Sequence, residues 1–196
     1  MARIRLSSPV FAASILGCCL FIAASPFANA QAAEKPAKPA VGTKMSPSET
    51  YDKLLSGMEK EFVDLAEAMP ADKYGFAPTQ GEFKGARTFG EQVKHVAQAN
   101  GYFFHDPSTP MVDDRAAMEK LQTKDDIIKA LKDSFANAHK YISGITSENA
   151  FVMTSNGTRG GMAAFGIAHM MDHYGQMVEY ARMNGIVPPA SRGGNM

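Results

Sequence analysis

Twice in this chain a hydroxyl residue stands three places ahead of a glutamate at the head of an apolar run, and that arrangement commits both stretches to helix. Ser46-Pro47-Ser48-Glu49 and Thr88-Phe89-Gly90-Glu91 are capping boxes. In each, the hydroxyl accepts from the backbone N–H at the third helical position, and the glutamate reaches back to the N–H of the cap. Pro47 strengthens the first box, because the first helical position has no use for an N–H. Behind it Tyr51, Leu54, Leu55, Met58, Phe62, Leu65, Ala66 and Met69 recur at helical spacing until Pro70. Behind the second come Val93, His95, Val96, Ala97, Phe103 and Phe104, with a stop before Pro107.

Two more runs follow the same period. Thr123, with Asp125 and Asp126 in the first turn, opens a helix carrying Ile127, Ile128, Leu131, Phe135, Ala138 and Ile142 and ending at Gly144. The last helix covers residues 160–184 and is closed by Gly185 and Pro188-Pro189. Its first half, Gly160-Gly161-Met162-Ala163-Ala164-Phe165-Gly166, is built of small residues that let another helix approach closely, at some cost in helix propensity. Residues 70–87, 106–122 and 145–158 lack a sustained period and read as loops. With no convincing strand pattern, the expected fold is all-α, a four-helix bundle with long connecting loops.

Residues 1–30 read as a secretory signal peptide. Arg3 and Arg5 precede an apolar stretch from Val10 to Ala24, and Ala28-Asn29-Ala30 is a small-x-small cleavage site. Ile15-Leu16-Gly17-Cys18 has only a faint lipoprotein look, since apolar residues continue past the cysteine. Export across the inner membrane to the periplasm is expected, with no membrane association once the signal is removed. Residues 31–45, rich in Ala, Lys and Pro, read as a flexible linker, residues 46–190 as the bundle and residues 191–196 as a flexible tail. Both cysteines, Cys18 and Cys19, fall in the signal, so a mature chain has no disulfide, thiolate ligand or cysteine nucleophile. The whole chain has 20 basic and 20 acidic residues; the two arginines of the signal leave 18 basic ones, a net charge near −2 with no basic block. That excludes the electrostatic footprint of nucleic-acid binding.

The chemistry concentrates in histidines. His169 and His173 lie four apart, one above the other on a helix face, on a stripe with Phe165, Gln176 and Tyr180. Burying two imidazoles on such a stripe is costly unless they are bonded, and a shared metal ion bonds both. The spacing alone also fits an ordinary surface or core pair, and it lacks the glutamate of the H-E-x-x-H zinc motif. His95, on the second helix, would complete an open three-histidine site. His105 reads as a helix-end cation and His139 as a solvated residue. Glu91 is explained by its cap and is otherwise the acid nearest to His95 in sequence. The methionines, at core spacing, read as packing.

Three stretches resemble the DinB-like superfamily of metal-binding four-helix bundles: residues 65–78 (LAEAMPADKYGFAP), residues 87–97 (RTFGEQVKHVA), and residues 169–176 (HMMDHYGQ) with Asn184-Gly185-Ile186-Val187-Pro188-Pro189. The resemblance implies a bundle with a crossover connection and a divalent ion, zinc or nickel, held by His95, His169 and His173. It also implies a homodimer as the assembly, and a metal-dependent enzyme of hydrolase or thiol S-transferase type acting on a small molecule. A non-catalytic metal-binding or interaction protein is the alternative. Gln176 and Tyr102 are candidates to orient substrate, with Glu91 as a weaker candidate base. Thiol cosubstrate is scarcer in an oxidising compartment, which counts against the transferase chemistry for an exported member.

Overall fold

A computed structural model describes residues 38–111 and 114–193. The signal segment, the first part of the linker and the last three residues of the tail lie outside the described residues. Of the unit Met1–Val41, residues 38–41 are exposed and outside any helix or strand. All that follows concerns the unit Gly42–Met196.

Its α-helices are α1 (Pro47–Ala68), α2 (Phe89–Phe103), α3 (Arg115–Glu119), α4 (Lys124–Ser143) and α5 (Arg159–Met183). Both capping boxes form, with the Ser46 and Thr88 hydroxyls accepting from Glu49 and Glu91 N–H and both carboxylates returning to the caps. At the heads of α4 and α5 the Thr123 and Thr158 hydroxyls accept from Asp126 and Gly161 N–H, and Gly185, at φ +74°, takes the left-handed turn that follows α5. At the other end of α1, Lys124 Nζ donates to the carbonyls of Glu67 and Met69 at 2.7 and 2.8 Å, satisfying acceptors a helix terminus leaves open.

The four long helices form a ring in the order α1, α4, α2, α5: α1 and α2 each pack on both α4 and α5. Of the three successive pairs of long helices, α1 with α2 and α4 with α5 therefore face each other diagonally, across loops long enough for that step, whereas α2 and α4 are neighbours joined by the loop that carries α3. Phe62, Phe89, Phe135, Leu55, Leu65, Met69, Leu131, Met170 and Met177 fill the centre. The fold is the all-α bundle expected from the sequence.

Short elements stand within the stretches read as loops. Residues 106–122 hold the one-turn helix α3, whose Met118 reaches the core with Leu121. Residues 145–158 hold a two-residue hairpin, β1 (Met153–Thr154) and β2 (Gly157–Thr158), turned at Asn156-Gly157. A five-residue helix and two-residue strands repeat a hydrophobic pattern little more than once, so periodicity does not register them.

His139 corrects a sequence expectation. It is half-buried and paired rather than freely solvated: on α4 it faces α1, with Nδ1 against the Asp52 carboxylate and Nε2 2.9 Å from that of Glu59. Carboxylates only accept, so both ring nitrogens carry hydrogen and the ring is an imidazolium. Burial pulls its pKa down, but the hydrogen bonds and charges of Asp52 and Glu59 outweigh it and the net shift is upward.

Where α5 meets α2 the small residues have a specific use. A Cβ on Gly166 would lie 2.9 Å from Phe103 Cβ and 2.8 Å from the Phe104 ring. Gly166→Ala therefore forces the two helices apart one turn before His169. The expected cost is about 1–3 kcal/mol of unfolding free energy, read from urea denaturation.

Candidate metal centre

The α2–α5 seam carries the three histidines. His95 projects from the middle of α2, and His169 and His173 project one turn apart from α5, so close approach of the two helices turns the rings towards one another. His169 Nε2 lies 3.2 Å from His95 Nε2 and 3.1 Å from His173 Nε2. One ligand atom from each residue fits within a mutual separation of 4.8 Å. Two nitrogens bound tetrahedrally at 2.0–2.1 Å to one zinc would stand about 3.4 Å apart.

A hydrogen-bonded chain fixes the protonation of this cluster. Gln176 Nε2 donates to the Asp172 carboxylate at 3.2 Å, which orients the Gln176 amide, because a carboxylate can only accept. Its Oε1 then accepts from Gln92 Nε2 at 2.9 Å. Gln92 Oε1 is left facing His173 Nδ1 at 2.6 Å, so that nitrogen must carry the hydrogen. His173 Nε2 consequently presents a bare lone pair to the centre, the tautomer a metal ligand needs.

His169 shows that hydrogen bonding within the described residues does not satisfy the cluster. Its Nδ1 is buried with no partner, and its Nε2 faces two other ring nitrogens, of which His173 Nε2 has no hydrogen to give. A proton on His169 Nε2 serves one neighbour at best. A cation at the point of convergence accepts all three lone pairs at once, so the residues present fit a metal ion.

Residues 54–177 match the family model of the DinB superfamily. The chain belongs to the DinB superfamily. No curated protein matches it. In this DinB chain the three stretches named from the sequence fall on the end of α1 and the loop after it, the start of α2, and the middle of α5 with the turn that follows it, and the middle and last of them carry the histidines.

Two clefts open beside the ring cluster and share His95, Gln98 and Arg115. One, a cavity of about 520 Å³, is walled by Ala99, Gly101, Tyr102, Phe103, Met111 and His169, with Asp114 and Arg115 also lining it. Tyr102, half exposed, stacks edge-on with Phe103, and Phe103 with Phe165. The other cavity, of about 770 Å³, carries Arg87, Lys94 and Arg115 against Glu91 and Glu119, with α3 supplying one wall.

Sequence reasoning placed the trio, Tyr102 and Glu91 near one another. It missed Gln92 as the acceptor for His173 and Arg87 as a charge beside the rings. Gln176, read from sequence as a substrate-orienting residue, instead bonds Gln92 and Asp172. Glu91 holds the Thr88 N–H at 2.7 Å and its pKa is lowered chiefly by that bond. His105 lies beyond the α2 cap and bonds the Thr109 carbonyl.

Burial is the main reason all three ring pKa values are low, with His95 and His173 each pushed down to about 4 and the Arg87 charge adding to the shift at each ring. The unfolded chain therefore binds more protons than the folded one across the window from about 6.5 down to 4. Metal-stripped protein is expected to lose stability as pH falls through that window and to stop losing it on this account below about 4. His139 runs the other way: its contribution is complete below 6.5 and is lost as pH rises through its higher folded value. Thermal unfolding followed by circular dichroism after chelation, at pH 7.5 and pH 4.5, should show a midpoint several degrees lower at the acid end.

Proposed function

We propose that the chain is an exported, metal-dependent enzyme in which His95, His169 and His173 hold a divalent ion, zinc or nickel, with at least one coordination position open to the two clefts. The observation that carries this reading is the convergence of three Nε2 atoms around His169, whose Nε2 can share a proton with only one of the other two rings and whose buried Nδ1 has no partner in the described residues. A three-histidine ion supplies Lewis acidity, lowering the pKa of a water or thiol it carries towards neutrality. The protein's own part is to hold His173 in the required tautomer through Gln92 and to keep the rings neutral by burial. Tyr102, at the mouth of the apolar cleft, is placed to orient a small-molecule substrate.

Hydrolytic chemistry is the better supported of the two reaction types. The signal-like segment at residues 1–30 points to a periplasmic destination, where free thiol cosubstrate is scarce. A non-catalytic metal-binding role is the second reading, and one observation favours it: Glu91, one helical turn before His95, is committed to its helix cap.

Elemental analysis of mature protein purified without an affinity tag tests the site first, with about one equivalent of transition metal per chain expected. Less than about a tenth of an equivalent would end both readings. A screen of ester, amide and thiol-conjugation substrates comparing the native chain with His169→Ala tests catalysis, and metal without any difference on any substrate leaves the binding role.

A further inference from the structure

The two clefts that meet at His95 differ in character, and each asks for a different part of one ligand. On one side Tyr102 and Phe103 offer aromatic surface, with Tyr102 half exposed and Phe165 beyond it two-thirds exposed. On the other, Arg87 and Lys94 line a polar cleft against Glu91 and Glu119. The charges do not simply cancel. Glu91 bonds back to Thr88 N–H, and among the described residues no ion pair joins Arg87 or Lys94 to either acid. Lys94 Nζ makes one long bond, 3.4 Å, to the Leu121 carbonyl, and the exposed Arg87 guanidinium has no hydrogen-bond or ion-pair partner among the described residues. Its five donors stand beside the metal-ligating His95 with nothing assigned to them.

We infer that the substrate of this site is an organic carboxylic acid with an apolar, preferably aromatic, body, its carboxylate received by Arg87 in the polar cleft and its body lying along Tyr102 and Phe103 across the face of His95. A planar guanidinium matches a carboxylate bidentately, whereas a phosphate's higher charge would call on more than one unencumbered cation. The positive charge that Arg87 brings to all three rings agrees with its nearness to the centre. The inference rests on the proposed metal site and adds to it the class of molecule bound there.

Cobalt(II)-loaded full mature chain provides the test, because the cobalt absorption spectrum reports both metal uptake and ligand arrival. The probes are 4-phenylbutyrate, its neutral amide 4-phenylbutanamide, and acetate. Phenylbutyrate is expected to bind at least about tenfold more tightly than the amide, through the charge-assisted bond, and at least about tenfold more tightly than acetate, through the apolar body. Arg87→Gln, a change at an exposed position, should bring the acid-to-amide ratio below about threefold while cobalt stoichiometry and thermal midpoint stay unchanged. Equal binding of acid and amide, a ratio unaltered in Arg87→Gln, or acetate binding as tightly as phenylbutyrate would each overturn the inference and leave the metal site standing. Failure to take up cobalt would overturn the site and the inference together.

Discussion

Replacing His169 with alanine is expected to lower bound transition metal from about one equivalent per chain to under about a tenth, with little loss of stability in the metal-free protein. Both halves of that result follow from the position of the ring. His169 Nε2 is the atom within 3.2 Å of each of the other two, so its removal leaves His95 and His173 without the ligand that joins them. The same ring leaves a buried Nδ1 without a partner, so its deletion also removes an unsatisfied polar group and offsets the packing it takes away. The stabilisation that added metal gives the native chain, about 2.7 kcal/mol at a hundred times the dissociation constant, should vanish in the variant. Thermal scans with and without zinc at one pH read it directly. A variant that still shifts its midpoint on zinc addition would place the ion elsewhere.

The second large effect belongs to a residue that touches no ion. Gln92→Leu keeps nearly the same volume and removes the acceptor for His173 Nδ1–H, and with it the device that holds that ring's lone pair towards the centre. Metal affinity should fall about 10- to 100-fold in a chelator competition. The variant is also expected to lose about 1–3 kcal/mol of unfolding free energy, because His173 is buried and its N–H is left without an acceptor. Gln92→Glu separates the two roles of the amide. It retains an acceptor for His173 but gives up the donor to Gln176, so its affinity should lie between those of the native chain and Gln92→Leu. Equal affinities for Gln92→Leu and the native chain would show that the hydrogen-bonded chain from Asp172 does not tune the site.

Much of this was legible before any coordinates. The caps at Ser46, Thr88 and Thr123 could be read because their bonds close within four residues. The pairing of His169 with His173 could be read because four residues nearly complete one helical turn. The bond from Gln92 to His173 spans 81 residues and depends on how α2 is rotated against α5, which no local pattern records. His139 was misread for the same reason. Its chain neighbours are polar, but its partners are 87 and 80 residues away on α1. The signal that would have found it is the pair Asp52 and Glu59, two turns apart on one helix face. Arg87 carried no signal of its own, since one arginine ahead of a capping box reads as an ordinary loop residue.

The ring order of the bundle also governs when an ion can arrive. Seventy-four residues separate His95 from His169, and the second and third ligands sit on α5, the last long helix to be made. A growing or partly folded chain that lacks a docked α5 has one histidine where three are needed. With the ion held as proposed, metallation would be a late event, and the compartment where folding finishes would decide which ion is captured. A chain crossing a membrane unfolded would meet the metal supply of its destination rather than that of the compartment where it was made.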